Sequence, residues 1–249
     1  MLNIFLQPYI EKRKIEQTNL YNFCKPILNT QIMLSINNKH WNKFYTEKKQ
    51  LRVPSSFAKF VNKKFLKKIG KKSLIDIGCG NGRDTFFFAK KISKVTSLDK
   101  SNKVIKKNNY YAKKNNYKNI NFIKSDVVKK NILNKKKYDY IYLRFFIHTI
   151  NYLTQKKLFK LLNRISKRDV SLMMFEFRTI NDPLAKKGEI ISKYERINDH
   201  YRRFIKPKSF IKEIMQAIDC KLIYIREGRG ISKVKHDDPY LCRLVFKRK

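Results

Sequence analysis

Three glycines, Gly78, Gly80 and Gly82, stand at alternate positions directly after the apolar run Leu74-Ile75-Asp76-Ile77. Glycine enters the left-handed backbone region readily and carries no Cβ, so such a loop turns sharply and lets a ligand approach the backbone. A carboxylate follows at Asp99, 21 residues after Gly78. An acid at that distance accepts hydrogen bonds from the vicinal hydroxyls of a ribose. The pair of features suits a nucleoside-bearing ligand. The spacing is Gly-x-Gly-x-Gly and not the Gly-x-Gly-x-x-Gly of dinucleotide sites.

A second group of residues could do chemistry on a substrate. Arginine is scarce in this lysine-rich chain, yet Arg144, Arg178, Arg202 and Arg203 fall in three short stretches with other candidate residues. The guanidinium fork suits phosphate or carboxylate. Arg178, Arg202 and Arg203 are the expected holders of an anionic substrate group. The competing assignment is salt bridging to Glu176, Asp182 or Glu195. His148 is the first choice for a general base and His200 the second, because imidazole titrates near neutrality. A histidine on the apolar Phe146-Ile147 stretch also fits a packed, hydrogen-bonded core residue. If the reacting atom is an already anionic oxygen, no base is required.

These residues need a scaffold that presents them together. Ser73–Ile77 reads as a strand and Thr85–Ile92 as the following helix, with Asp84 at the positive end of its dipole. Lys94–Asp99, Ile120–Asp126, Tyr138–Arg144 and Ser171–Arg178 read as further strands. Ser101 caps a helix over 102–118, and Thr154 one over 155–167. Phe57, Phe60, Val61 and Phe65 are spaced for an amphipathic helix capped by Ser55 or Ser56. Residues 179–206 read as a long interruption. A helix from Pro207 or Lys208 through Cys220 follows, then strands at 221–226 and 240–246. Strands alternating with helices predict a parallel sheet. Two terminal strands without a long helix between them predict an antiparallel closing pair.

Length and composition bound the possibilities. The chain has 249 residues and 42% hydrophobic content, enough for one globular domain. Residues 1–38 carry no motif, and the patterned domain runs from 39 to 249. The abrupt change near Met33 suggests that translation starts there and that the first 32 residues extend the reading frame. The formal net charge of +40 invites attraction to polyanions. The lysines are spread over the whole chain with asparagine and isoleucine, as A/T-rich codons would produce. Cys24, Cys79, Cys220 and Cys242 form no Cys-x-x-Cys pair and have no histidine cluster beside them, so neither zinc nor disulfides are expected. That usage fits a reduced, cytoplasmic compartment. No apolar run approaches the ~20 residues of a membrane span.

The glycine spacing, with Asp76 two residues before Gly78, resembles motif I of the class I S-adenosylmethionine (SAM)-dependent methyltransferases. Asp99, Asp126 and the closing strand pair extend the resemblance over about 40–249. It implies a doubly wound, mostly parallel seven-stranded α/β sheet. The implied strand order is 3-2-1-4-5-7-6, with the last strand antiparallel and helices on both faces. It implies SAM as cofactor, with Asp76, Gly78 and Gly80 facing the methionine part, Asp99 the ribose and Asp126 the adenine. Trp41, Cys79, Arg83, Ser101 and Arg144 complete the expected cofactor set. The segment at 40–57, with the only tryptophan, would form a lid. Arg144–His148, Glu176–Asp182 and Tyr201–Phe204 resemble a narrower bacterial branch associated with surface-polysaccharide genes. That implies a small polar, anionic acceptor such as a sugar, a sugar phosphate or a glycan end.

Two other functions compete. The charge favours an RNA methyltransferase. Against it, Leu143-Arg144-Phe145-Phe146 stands where base-amino methylases carry an Asn-Pro-Pro-Tyr-like tetrapeptide, and no RNA-binding module is appended. A SAM-binding protein without catalysis is the third class.

Overall fold

The computed structural model describes residues 37, 39–45, 52–66, 71–127, 133, 136–232 and 237–249. Of the expected N-terminal extension, only Asn37 lies among them. The expected lid is described at 40–45 and 52–57.

Five parallel strands come first: β1 (Ser73–Ile77), β2 (Lys94–Asp99), β3 (Ile120–Lys124), β4 (Tyr140–Arg144) and β5 (Leu172–Arg178). An inserted antiparallel sheet holds β6 (Glu189–Ser192), β7 (Glu195–Asn198) and β8 (His200–Arg203). β9 (Cys220–Gly228) and β10 (Leu241–Arg248) close the main sheet in the order β3-β2-β1-β4-β5-β10-β9. β10 runs antiparallel to both of its neighbours. With β9 and β10 as the sixth and seventh strands, this is the expected order. The helices are α1 (Ser56–Lys64), α2 (Arg83–Ala89), α3 (Asn102–Lys114), α4 (Tyr152–Ile165) and α5 (Pro207–Ala217).

Strand alternation divides the core cleanly. Ile75, Ile77, Ile141, Leu143, Phe175 and Leu244 face α4 and α5, meeting Leu158, Leu162, Phe210 and Ile214. Leu74, Tyr142, Met174 and Val245 face the other way, onto Phe57 and Val61 of α1 and Phe88 of α2. Successive side chains point to opposite faces of a strand, so a strand covered on both faces is apolar throughout. No described helix is long and apolar enough to cross a membrane.

Several boundaries differ from the sequence reading. α4 is capped by Asn151, whose side chain accepts from the Thr154 N–H, so the helix starts one turn earlier than a Thr154 cap requires. α3 stops at Lys114, and Asn116 takes φ 57, a left-handed residue that ends the helix. α5 stops at Ala217, and Cys220 already belongs to β9. The interruption at 179–206 contains a sheet. Its strands are only four residues long, β6 mostly exposed and β7 half-buried throughout, so they lack the apolar alternation that marks a strand in sequence.

Candidate functional site

The glycine loop leaves β1 at its carboxyl end. Gly78, Gly80 and Gly82 take φ of 78°, 52° and 74°. A side chain would be strained at each, and space is denied as well. A Cβ on Gly78 would strike the Phe146 ring, and one on Gly80 the Tyr45 hydroxyl. The loop is fastened from below by the Leu98 carbonyl, which accepts from the N–H groups of Gly78 at 2.9 Å and Cys79 at 3.0 Å. Asn108 Nδ2 donates to the Gly80 carbonyl at 2.8 Å. Arg52 donates to Asn108 Oδ1 at 3.0 Å and to the Asn81 carbonyl, with its guanidinium 4.2 Å from the Tyr111 ring centre. Arg52 and Asn108 carry no motif, and sequence reasoning missed them.

The acids take different positions. Asp99, at the end of β2, accepts from the Gly80 N–H at 3.0 Å through Oδ2 and from the Ser101 N–H at 2.8 Å through Oδ1. Each oxygen keeps lone pairs for further donors. Asp76 is buried beneath the loop, where Thr85 Oγ1 donates to it at 2.7 Å. Burial pushes its carboxyl up to about 7, and the Asp84 and Asp99 charges add to that. Burial likewise raises the Cys79 thiol, which packs near Phe86 and Phe122. Asp126 lies beyond β3, 3.3 Å from Lys100 Nζ. Asp84 stands in the first turn of α2, as expected of a partner of the helix dipole. It is buried and accepts from the Ser55 N–H, Ser55 Oγ and Tyr142 hydroxyl, which tie α1 to α2 and β4.

A helical segment at 39–45 lies over the loop. Ser101 Oγ donates to Asn42 Oδ1 at 2.7 Å, and Lys107 Nζ to the Tyr45 carbonyl at 2.8 Å. Tyr45 is half-buried, with its phenol close to Asp99, Cys79, Arg83 and Arg144, and desolvation of that phenol is the first cause of its raised pKa. Trp41 stacks near Tyr45 and stands 4.8 Å from the His200 ring. Asn37 anchors the same region, donating to the Thr149 carbonyl and accepting from the Tyr201 N–H. The segment therefore joins the glycine loop to the inserted sheet.

On the other side of the loop, β4 ends in Arg144 and then Phe145, a non-glycine residue at φ 52. The Phe145 ring meets the Arg144 guanidinium at 4.1 Å and the His148 ring edge at 5.5 Å. Arg144 bonds Glu176 Oε1 at 2.9 Å, and Arg243 bonds Oε2 of the same fully buried carboxylate at 2.7 Å. His148 is buried in the turn Ile147–Thr149. Its Nδ1 accepts from the Arg178 N–H at 3.3 Å. Burial lowers its pKa well below the ordinary value, and the charges of Arg178, Arg202 and Arg144 lower it further. A neutral imidazole that accepts at Nδ1 carries its hydrogen on Nε2 and offers a donor there.

The structure brings His148, His200, Arg144, Arg178 and Arg202 into one neighbourhood. Arg178 bonds Asp182 at 2.8 Å and also Asp237. Arg202 Nη1 bonds the Asn198 carbonyl at 2.6 Å and Asp199 at 2.9 Å. His200 is buried, and desolvation lowers it to about 4. Arg203 projects from the opposite face of β8, where Nε bonds the Ile150 carbonyl at 3.1 Å and Nη2 bonds Gln155. It is thereby set apart from the other candidates.

The residues present fit a nucleoside-bearing cofactor. The glycine loop leaves no room for its own side chains, and Asp99 stands beside it with acceptor capacity to spare. Known proteins point the same way. A family model described as a methyltransferase domain matches residues 70–220. A SAM-dependent methyltransferase from Anabaena variabilis is 20% identical, with a TM-score of 0.64 over 86% of this chain and 94% of that one. A SAM-dependent methyltransferase from Clostridium acetobutylicum is 15% identical, with a TM-score of 0.61 over 78% and 91%. The glycopeptide N-methyltransferase MtfA, solved with SAM, is 11% identical, with a TM-score of 0.57 over 80% and 97%. At these identities the likeness is one of fold. No curated protein matches.

Proposed function

The chain belongs to the methyltransferase domain family and is a SAM-dependent methyltransferase, and we propose that its acceptor is a small polar molecule with an anionic group. A sugar, a sugar phosphate or a glycan end fits that description. The observation that carries this reading is the gathering of arginines around buried His148: Arg144 and Arg178 stand 4.1 and 6.0 Å from the Phe145 ring that packs on it, and the Arg178 N–H bonds its Nδ1. Each guanidinium is already paired, Arg144 with Glu176, Arg178 with Asp182 and Asp237, and Arg202 with Asp199, so an anion would be met by the N–H donors these pairs leave over. The segment at 39–45 meets the inserted sheet at His200, a cover that suits a small acceptor better than a folded polymer.

Bound SAM supplies an activated methyl group on a cationic sulfur. The cofactor's place is along the glycine loop. Asp76, Gly78, Cys79 and Gly80 border its methionine part, Asp99 with Ser101 its ribose and Asp126 its adenine. Trp41, Arg83 and Arg144 line its edges. His148 presents Nε2–H to an acceptor oxygen and orients it. Arg202 meets the anionic group, while Arg178, held by two carboxylates, fixes the turn that carries His148. His200 walls the site. Arg203 fastens β8 to α4. Holding donor and acceptor in line is the main contribution such a site makes.

Incubating the purified protein with methyl-labelled SAM and a metabolite extract tests the reading. Label is expected in an anionic small-molecule fraction. The charge of +40 favours a second reading, an RNA acceptor, and predicts salt-sensitive attraction to polyanions. Label confined to an added RNA pool would replace the first reading with that one. Binding of SAM without transfer to either pool would make the protein a non-catalytic binder.

A further inference from the structure

Two imidazoles and a carboxylate from distant parts of the chain meet where the cover closes. His40 comes from the helical segment at 39–45, Asp199 from the tip of the β7–β8 turn, and His200 from the first position of β8. One ligand atom of each lies within 4.8 Å of the others. The His40 and His200 rings are 4.2 Å apart at 37°. His200 is buried, 4% exposed, and its Nδ1 has no hydrogen-bond partner. That atom stands 2.8 Å from Asp199 Oδ1 without hydrogen-bond alignment. A neutral imidazole with its hydrogen on Nε2 leaves the Nδ1 lone pair beside this carboxylate, an arrangement a shared cation stabilises. Asp199 sits at φ 63, which fixes its side chain beside His200.

We propose that His40, Asp199 and His200 bind a divalent transition-metal ion of the Zn²⁺ class, which pins the helical cover to the inserted sheet. Two imidazoles with one carboxylate select zinc, cobalt, nickel or iron over magnesium and calcium, which prefer oxygen ligands. Zinc–ligand bonds of about 2.0–2.1 Å place ligand atoms roughly 3.4 Å apart. The longer separations, up to 4.8 Å, therefore close by about an ångström, within reach of a rotamer change at His40, while the 2.8 Å approach of His200 Nδ1 to Asp199 Oδ1 opens slightly. Arg202 shares Asp199 through Oδ1 and leaves Oδ2 for the ion. Three protein ligands leave a coordination position for an exchangeable oxygen, as catalytic zinc sites do. The two histidines lie far apart in sequence, and neither has a neighbouring ligand at a metal-binding spacing, so sequence reasoning expected no metal.

The test uses the full, untagged chain stripped with a chelator and dialysed. Titration with ZnCl₂ by calorimetry is expected to show one equivalent bound and a raised Tm. CoCl₂ is expected to give visible absorption bands of a low-symmetry site. His40→Ala, on the partly exposed cover, and Asp199→Asn, on an exposed turn, each weaken zinc binding at least about tenfold. Neither changes the Tm of the metal-free protein. Absence of zinc binding overturns the proposal. So does binding of unchanged affinity in both variants, which would place the ion elsewhere.

Discussion

The N–H of Arg178 donates to Nδ1 of His148 across 3.3 Å, from the end of β5 to the turn after β4. This bond commits the lone pair that a general base at Nδ1 would use. His148 is thereby a donor through Nε2. His148→Gln retains an N–H near that position and is expected to keep kcat within about tenfold of wild type. His148→Ala is expected to lose about 10²-fold or more, the size of a lost positioning contact. The kcat/KM profile of the wild type should show no limb from this imidazole between pH 5 and 8. An inflection near pH 6.5 that disappears in His148→Gln would restore the base.

Glu176 lies between two guanidiniums, Arg144 and Arg243, and is fully buried. Arg243 also reaches Ser56 of α1 and the Ile231 carbonyl, so one carboxylate joins β4, β5, β10, α1 and the 231–232 turn. Removing it leaves two buried cations without a counter-charge. Glu176→Ala is expected to cost about 3–5 kcal/mol. For a domain of this size that lowers Tm by roughly 6–20 °C. Glu176→Gln, which keeps an acceptor, should fall between. Thermal unfolding of the three proteins checks the order. Equal Tm values would mean that the arginines find other partners.

How much of this was legible beforehand depends on whether the cause was local. Gly78, Gly80 and Asp99 could be read because turn chemistry and strand period sit in the chain itself. The Ser101 cap was legible for the same reason. The Asn151 cap was not, because Asn151 and Thr154 are both capping residues and only packing of α4 fixes which one starts the helix. The strands at 189–203 were hidden because their pairing, and not an apolar face, defines them. Arg52 and Asn108 clamp the glycine loop by tertiary contact, and in a lysine- and asparagine-rich chain neither stands out. The arginines were recognised as unusual, and salt bridging to Glu176 or Asp182 was the competing assignment: Arg178 does bond Asp182, and Arg144 bonds Glu176. Asp237 and Asp199, which pair with Arg178 and Arg202, were not foreseen. Arg203 turns toward Gln155 because strand alternation places it opposite Arg202. That consequence becomes visible only once β8 is known to be a strand.

Asp99 provides a direct test of the cofactor's placement. The Asp99 carboxylate accepts two backbone N–H groups and has capacity left for hydroxyl donors. Asp99→Asn loses the charge and one accepting oxygen. Hydrogen bonds to a charged group contribute about 1.5–3 kcal/mol, so Kd for SAM should rise roughly 10- to 100-fold. The ribose is common to SAM and S-adenosylhomocysteine, so the loss should be equal for both by calorimetry. A loss confined to SAM would place Asp99 at the sulfonium instead.

Asp76 makes stability depend on pH in a direction opposite to that of most carboxylates. Burial raises its folded pKa to about 7, against an ordinary value of 3.8. Between those values the folded chain holds a proton that the unfolded chain has released. Stability is therefore greatest below the unfolded value and falls as pH rises toward 7. The slope is at most about 1.4 kcal/mol per pH unit, a few kcal/mol in all. Asp76→Asn keeps an acceptor for Thr85 Oγ1 and does not titrate. The difference in unfolding free energy, variant minus wild type, should grow from pH 5 to about pH 7 and then level off. Urea unfolding at pH 5, 6, 7 and 8 measures it. Parallel curves would show that Asp76 is ionised throughout this range, which would require a cation beside it in the folded protein.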